Sequence, residues 1–211
     1  MILRRRNDNV FLSIIDEIIN ICSKYNTILS IGSSFRSGSI IDALDEAYME
    51  ELKVQLHLAE YIKKKGNKVI IETPGHVSAQ GIHKLCDILL RYSFSIMPLG
   101  PMPTDIAFAE DDTAAVIGAA IMASRGCADI LSIVTADEHL GGVPSLASIE
   151  RAISKYNVLR HIIDIDKIES KSKDSEVSWK RRNNQSCNYS DQEHCIRCGN
   201  HCPLRIKSEV Q

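Results

Sequence analysis

No apolar run in this sequence approaches the roughly 18 residues that a bilayer crossing requires. A transmembrane role is therefore not expected. Charge of one sign is also missing. The chain sets 25 Lys and Arg against 27 Asp and Glu, a formal balance of −2, where a dedicated nucleic-acid binder would be strongly basic. The opening residues MILRRRNDNV are basic but carry neither the apolar stretch nor the small-residue cleavage site of a secretory signal, which points to the cytoplasm. Seven cysteines, an odd number, fit a reducing compartment and suit metal ligands or buried thiols better than disulfides. What is present is a chain of 211 residues, 44% hydrophobic and 25% charged, the make-up of a globular protein with one ordinary domain and an appendage.

The cysteines divide the chain. Cys22, Cys86 and Cys127 are scattered, whereas Cys187, Cys195, Cys198 and Cys202 crowd the end. This gives a body over residues 1–165, a polar linker over 166–186 and a cysteine-rich tail over 187–211. The linker is charged, Ser-rich and aperiodic, and its Lys180, Arg181 and Arg182 are read as solvated. Along the body, apolar periodicity predicts helices over 10–24, 39–65, 77–91, 113–125 and 145–163, with Asn9 and Ser39 as caps for the first two. Buried strands are predicted over 27–32, 68–72, 94–99 and 129–135. Such alternation means parallel βα units. Four strands make either an open doubly wound sheet or half of a (β/α)₈ barrel, and the long polar loops after the strands suit a barrel rim. Half a barrel would leave two unpaired edges and an uncovered face. The pattern leaves both architectures open.

Several constellations can carry chemistry. Cys195, Cys198 and Cys202, spaced two and three residues apart and followed by Pro203, can wrap a soft centre. An iron–sulfur cluster with one open iron, or structural zinc with Cys187 or His194 as a fourth ligand, both satisfy that spacing. His76 and His139 stand just past strand ends, where a metal pair or plain hydrogen-bonding histidines are alternatives. Glu72, at a strand end beside His76, is a ligand, a general base or a simple strand-end charge. The turn of Ser33, Ser34, Phe35 and Arg36, running from strand to helix, offers backbone amides and a guanidinium to a phosphate or carboxylate, or is only a tight turn. Asp105 is the one ionised group in the loop GPMPTD. His57, His83 and His161 lie on helices and are read as surface residues.

At these loops the chain resembles the phosphomethylpyrimidine synthase family and its paralogue, 5-hydroxybenzimidazole synthase. The resemblance rests on LSIGSSFRSGSI-IDALDEA, VIIETPGHV, PLGPMPTDIA, the small-residue helix with IGAA, TADEHLGG and the terminal cysteine triad, in family order across about residues 10–205. It implies a (β/α)₈ TIM-type barrel of which this chain is the carboxy-terminal half. It further implies a radical S-adenosylmethionine lyase that rearranges aminoimidazole ribotide, to the thiamin pyrimidine or to 5-hydroxybenzimidazole for cobamides. Carried over by position, Cys195, Cys198 and Cys202 look like ligands of a 4Fe-4S cluster, and His76 and His139 look like ligands of zinc or another divalent metal. Ser33, Ser34, Phe35, Arg36, Glu72 and Met97 look like substrate contacts, with Glu72 the candidate for catalysis. The partners implied are S-adenosylmethionine, a reductant such as flavodoxin or ferredoxin, a second copy of the chain, and a separate amino-terminal half-barrel polypeptide. Departures from the family pattern are Ser33-Ser34 in place of Asp-Gly, Met97 in place of a tyrosine, and a cysteine spacing of two and three rather than two and four. All three look more like the benzimidazole branch. The family's amino-terminal half has no counterpart, so a non-catalytic iron–sulfur or zinc module, or a truncated inactive member, are the alternatives.

Overall fold

The structure, a computed structural model, describes residues 9–165, 171–187 and 197–209. These fall into two compact units that divide between Leu159 and Arg160. The first unit opens with α1 (Val10–Ser13) and α2 (Ile15–Tyr25), where the periodicity predicts one helix. Asn9 caps as expected, accepting from the Phe11 and Leu12 amides at 2.9 and 3.4 Å. The break at Ile14 follows from Ser13, whose hydroxyl donates to the Val10 carbonyl at 2.7 Å and competes with the helix ladder. Strand β1 (Leu29–Ile31) leads to α3 (Glu46–Lys64). That helix does not start at Ser39. The Asp42 carboxylate takes the Gly38 and Ser39 amides at 3.2 and 2.8 Å, and Leu44 has φ +57°, so residues 38–45 form turns. Asp45 is the real cap, accepting from the Tyr48 amide at 2.8 Å. Then come β2 (Val69–Glu72), α4 (Ala79–Leu89), β3 (Ser95–Met97), α5 (Asp111–Ser124) and α6 (Leu146–Asp164).

The sheet is parallel, in the order β1-β2-β3. The fourth expected strand does not join it. Residues 129–135 make one parallel bridge, Ser132 to Leu99. At their start Asp129 folds back on β3, its amide donating to the Ile96 carbonyl and its carboxylate accepting from the Ile96 amide, both at 2.9 Å.

Side chains alternate between the faces of a strand, and here the alternation sorts cleanly. Val69, Ile71 and Ile96 are in the core, with Leu29 and Ile31 packed against it. They share one parity and meet Ile19, Leu52, Leu85 and Met122 from α2, α3, α4 and α5. The opposite parity forms the in-register row Ser30, Ile70 and Ser95, of which both serines are exposed and Ile70 is half-buried. A doubly wound sheet carries helices on both faces. Among the described residues of the first unit, α2, α3, α4 and α5 pack on one face of this sheet.

In the second unit the segment read as an aperiodic linker contains a helix, α7 (Lys171–Asn183). Its support is electrostatic rather than apolar. Asp174 lies in the first turn and Lys180, Arg181 and Arg182 in the last, matching the helix dipole, and His161 Nε2 lies 2.6 Å from Asp174 Oδ2. The unit ends in α8 (Pro203–Glu209).

Candidate functional site

The loops at the C-terminal ends of the strands gather most of the expected site residues of the first unit. His76 follows β2 and is fixed by its own backbone. Its amide donates to the Ser37 carbonyl at 2.9 Å, and the Ser37 hydroxyl donates back to the His76 carbonyl at 2.5 Å. Flanking it, the Val77 amide donates to the Met102 carbonyl at 3.0 Å and the Met102 amide to the Gly75 carbonyl at 3.2 Å. The approach explains Gly75, where an added Cβ would lie 2.2 Å from the Ser37 carbonyl oxygen. His76 is thus clasped between the loops that follow β1 and β3.

The ring of His76 points its Nδ1 at Asp105 Oδ1, 2.6 Å away. Asp105 Oδ2 accepts from the Ile40 amide at 2.9 Å, and that amide, followed by the His76 contact, holds its carboxyl below the usual carboxylate range. His139 repeats the scheme. Its Nδ1 is 3.0 Å from Asp111 Oδ1, and its backbone amide donates to Asp111 Oδ2 at 3.1 Å. Asp111, buried at the start of α5, therefore holds both the ring and the main chain of the second histidine.

With each Nδ1 bearing its proton toward a carboxylate, both Nε2 atoms carry bare lone pairs. They face each other at 3.1 Å. Two such lone pairs repel unless a proton or cation lies against both. At metal–nitrogen distances of about 2.0–2.1 Å, a separation of 3.1 Å corresponds to a chelate angle of roughly 100°, close to tetrahedral. A carboxylate behind each Nδ1 is also the usual support of a metal-bound imidazole. The donor set fits a divalent metal. Among the described residues no group of three or more His, Cys, Asp or Glu converges on one point.

The pair lines a cleft of about 290 Å³ together with Arg36, Leu99, Met102 and Glu138. Arg36 Nη1 is buried without a hydrogen-bond partner and lies 3.9 Å from Glu72 Oε2. Glu72 Oε1 accepts from the Ser30 hydroxyl at 2.7 Å, and Met97 stands beside Glu72 in register.

The turn of Ser33, Ser34 and Phe35 looks elsewhere. Its donors converge on Glu51 of α3: the Ser33 hydroxyl at 2.5 Å, the Ser34 amide at 2.7 Å and the Phe35 amide at 2.8 Å. One helical turn along, Gln55 Nε2 donates to the Gly32 carbonyl at 2.8 Å. The amide cradle expected from the sequence is real, and a carboxylate of the same chain fills it. Glu51, Asp111 and the backing role of Asp105 were not foreseen. An acid pair opening an otherwise Ala-rich helix was the one available signal for Asp111.

In the second unit Cys198 is exposed and Cys202 buried. A short 3₁₀ turn, Gly199–His201, joins them, and neither is in a disulfide. Two thiols on one tight loop suit an iron–sulfur centre chemically. The third expected ligand, Cys195, lies outside the described residues, as does His194.

A family model, the radical SAM ThiC family, matches residues 1–187. A phosphomethylpyrimidine synthase of Pyrobaculum aerophilum is 34% identical over 82% of this chain and 41% of its own length. One of Carboxydothermus hydrogenoformans is 32% identical over 92% of the chain and 50% of its own. Phosphomethylpyrimidine synthase 1 of Methanosarcina barkeri is 29% identical over 98% of the chain, a match that reaches the cysteine tail, and 53% of its own length. The chain thus spans about half the length of the curated relatives it matches. With the one-sided parallel sheet and the histidines of the GHV and EHLGG loops at its rim, these matches establish that the chain belongs to the radical SAM ThiC family.

Proposed function

We propose that this chain forms the carboxy-terminal half of a radical S-adenosylmethionine lyase acting on aminoimidazole ribotide, with the thiamin pyrimidine as product. The observation that carries the reading is the His76–His139 pair, its Nδ1 atoms backed by Asp105 and Asp111 and its Nε2 atoms converging in a cleft shared with Arg36. The relatives' name, phosphomethylpyrimidine synthase, supports the product. In this reading His76 and His139 hold zinc or another divalent ion, which leaves coordination positions for substrate. Arg36 offers its unpaired Nη1 to an anionic or carbonyl oxygen of the substrate. Glu72 receives or holds a substrate proton at the strand end, and Met97 gives an apolar wall. Ser33, Ser34 and Phe35, tied to Glu51, hold Arg36 in place.

Cys195, Cys198 and Cys202 on the tail over residues 187–211 would hold the 4Fe-4S cluster, with residues 166–186 connecting the tail to the half-barrel of residues 1–165. When bound, that cluster supplies the electron that splits S-adenosylmethionine into methionine and a 5′-deoxyadenosyl radical. A flavodoxin or ferredoxin in the cytoplasm would deliver the electron, and a second copy of the chain and a complementary half-barrel would complete the assembly.

Anaerobic reconstitution tests the reading. The chain should take up about four irons, the content of one cubane cluster. Supplied with the complementary half and a reductant, it should release 5′-deoxyadenosine. Tightly bound zinc at the cysteines with no iron, in protein handled without oxygen, would end the proposal. A second reading, 5-hydroxybenzimidazole as product, is favoured by Met97 standing opposite Glu72 where the family pattern expects a tyrosine. Mass analysis of the product separates the two.

A further inference from the structure

Helix α3 carries three polar side chains along one stripe, Tyr48, Glu51 and Gln55, spaced three and four residues apart. They stand among the core residues Leu52 and Leu56. Each bonds to a different piece of the strand-end loops. The Tyr48 and Thr73 hydroxyls are hydrogen-bonded to each other and fully buried, and Thr73 lies between Glu72 and His76 in sequence. Glu51 takes the loop of Ser33, Ser34 and Phe35. Gln55 differs from both, because it reaches two strands at once.

We propose that Gln55 is a positioning residue: its side-chain amide holds the ends of β1 and β2 at a fixed separation, and so sets where Arg36 and Glu72 stand relative to each other. Because the proposed function puts Arg36 and Glu72 against substrate, this role rests on that reading and deepens it.

The geometry is specific. Gln55 Nε2 lies 2.8 Å from the Gly32 carbonyl oxygen, 3.4 Å from that of Glu72 and 3.5 Å from that of Ile31. The ladder between β1 and β2 stops at the pair Ile31 and Ile71, and the Gln55 amide continues the tie one step beyond it. Gly32 sits against the Glu72 carboxylate, where an added Cβ would lie 3.8 Å from Oε2. The same Oε2 is 3.9 Å from Arg36 Nη1. A shift of either strand end therefore moves the Arg36–Glu72 pair.

Packing alone does not call for an amide at this place. Gln55 is 3% exposed, and its Oε1 is buried without a hydrogen-bond partner. An apolar side chain of the same length would not carry that cost. Methionine would keep much of the volume and lose the tie, and the carbonyl of the exposed Gly32 would turn to water. The fold should survive such a change, and the spacing of the site should not.

The test uses the full chain loaded with Zn²⁺ and aminoimidazole ribotide as the probe, read by calorimetry beside denaturant unfolding. Gln55→Met and Gln55→Leu should each bind the ribotide about tenfold more weakly, the scale of one hydrogen bond, with the unfolding midpoint unchanged or raised. Glu72→Gln should weaken binding by itself. Added to Glu72→Gln, Gln55→Met should cost less than about a further twofold, since a residue acting through Glu72 has nothing left to position. In the ligand-free chain, Gln55→Met should also move the carboxyl carbon resonance of Glu72 and leave that of the exposed Glu50 in place.

Unchanged ribotide affinity in Gln55→Met, with Glu72→Gln clearly weaker, would overturn the positioning role and leave the proposed function standing. A full further tenfold loss in the Glu72→Gln background, or a lowered unfolding midpoint, would make Gln55 a structural residue instead. A native chain that binds no ribotide, with or without its complementary half, would end the proposed function. The Glu72 resonance then decides the tie alone, and if it does not move the tie is refuted as well.

Discussion

His76 and His139 present the same imidazole nitrogen to the same point, yet the chain holds them in different ways. His76 is 7% exposed, its main chain is bonded to Ser37 in the loop after β1, and its neighbours Gly75 and Val77 are bonded to Met102 in the loop after β3. His139 is 44% exposed at its side chain, and Asp111 takes both its ring Nδ1 and its backbone amide. Its loop is strung between α5 and α6. At the near end the Asp111 amide donates to the Ala136 carbonyl at 3.4 Å. At the far end the Ser148 hydroxyl donates to Asp137 at 2.6 Å, and Lys155 and Arg151 of α6 reach the buried Asp112 at 2.9 and 3.1 Å. One imidazole is thus built into the scaffold, and the other sits on a loop whose flanking helices are joined by a charged brace. The lesson is that equal chemistry at a site need not mean equal mechanical support.

The sharpest way to break this comparison is to remove each ring. If the proposed metal site is right, His76→Ala and His139→Ala should each weaken Co²⁺ binding by more than about 100-fold, since each removes one of its two imidazoles, read from the visible cobalt absorption. Only His76→Ala should also lower the melting temperature, because only that ring is packed. Equal melting temperatures would refute the asymmetry.

Next come the carboxylates behind the rings, whose removal typically weakens metal binding by about 10–100-fold. Asp111→Asn should fall at the upper end and Asp105→Asn at the lower, since Asp111 anchors both ring and backbone of His139 whereas His76 keeps its main-chain clasp. The reverse order would show that His139 has support not seen here.

A smaller effect should follow from Lys155→Met, which leaves Asp112 with Arg151 as its remaining cation. Weakening a buried charge pair in this way should cost about 1–2 kcal/mol in denaturant unfolding. It should also broaden the His139 ring resonances and leave those of His76 sharp, with Lys155→Arg restoring both.

The smallest effect is one of pH. Thr113, then Arg151, draw the Glu110 carboxyl down to about 2. A carboxylate depressed in the folded state adds stability that is fully present above its unfolded value and disappears as pH falls through the folded one. Glu110→Gln should therefore flatten the acid limb of the stability curve between about pH 4.5 and 2, and leave the neutral region as it was.

The fold was legible where packing is periodic. Residues 68–72 and 94–99 read as buried strands and contain β2 and β3, and Gly66 and Gly126, both at positive φ, follow the ends of α3 and α5. It was not legible where side chains compete with the backbone, as at Ser13, Asp42 and Asp129, or where a helix depends on its dipole rather than an apolar stripe, as in α7. At the site, strand-end position alone marked His76, His139, Arg36 and Glu72. The supporting Asp105, Asp111 and Glu51 could not be read the same way, because each meets its partner only through the tertiary fold, across 16 to 29 residues of sequence. The tail was legible as a spacing and no further.

The carboxylate of Glu51 bears on how the neighbouring loop can behave. A ligand on the same chain does not dilute, so any free anion arriving at Ser33, Ser34 and Phe35 competes with an occupant whose local concentration is fixed by α3. The outer half of the loop is in effect permanently saturated. Arg36, next in sequence, thereby starts from a rigid base, and its guanidinium stays available to whatever enters the cleft.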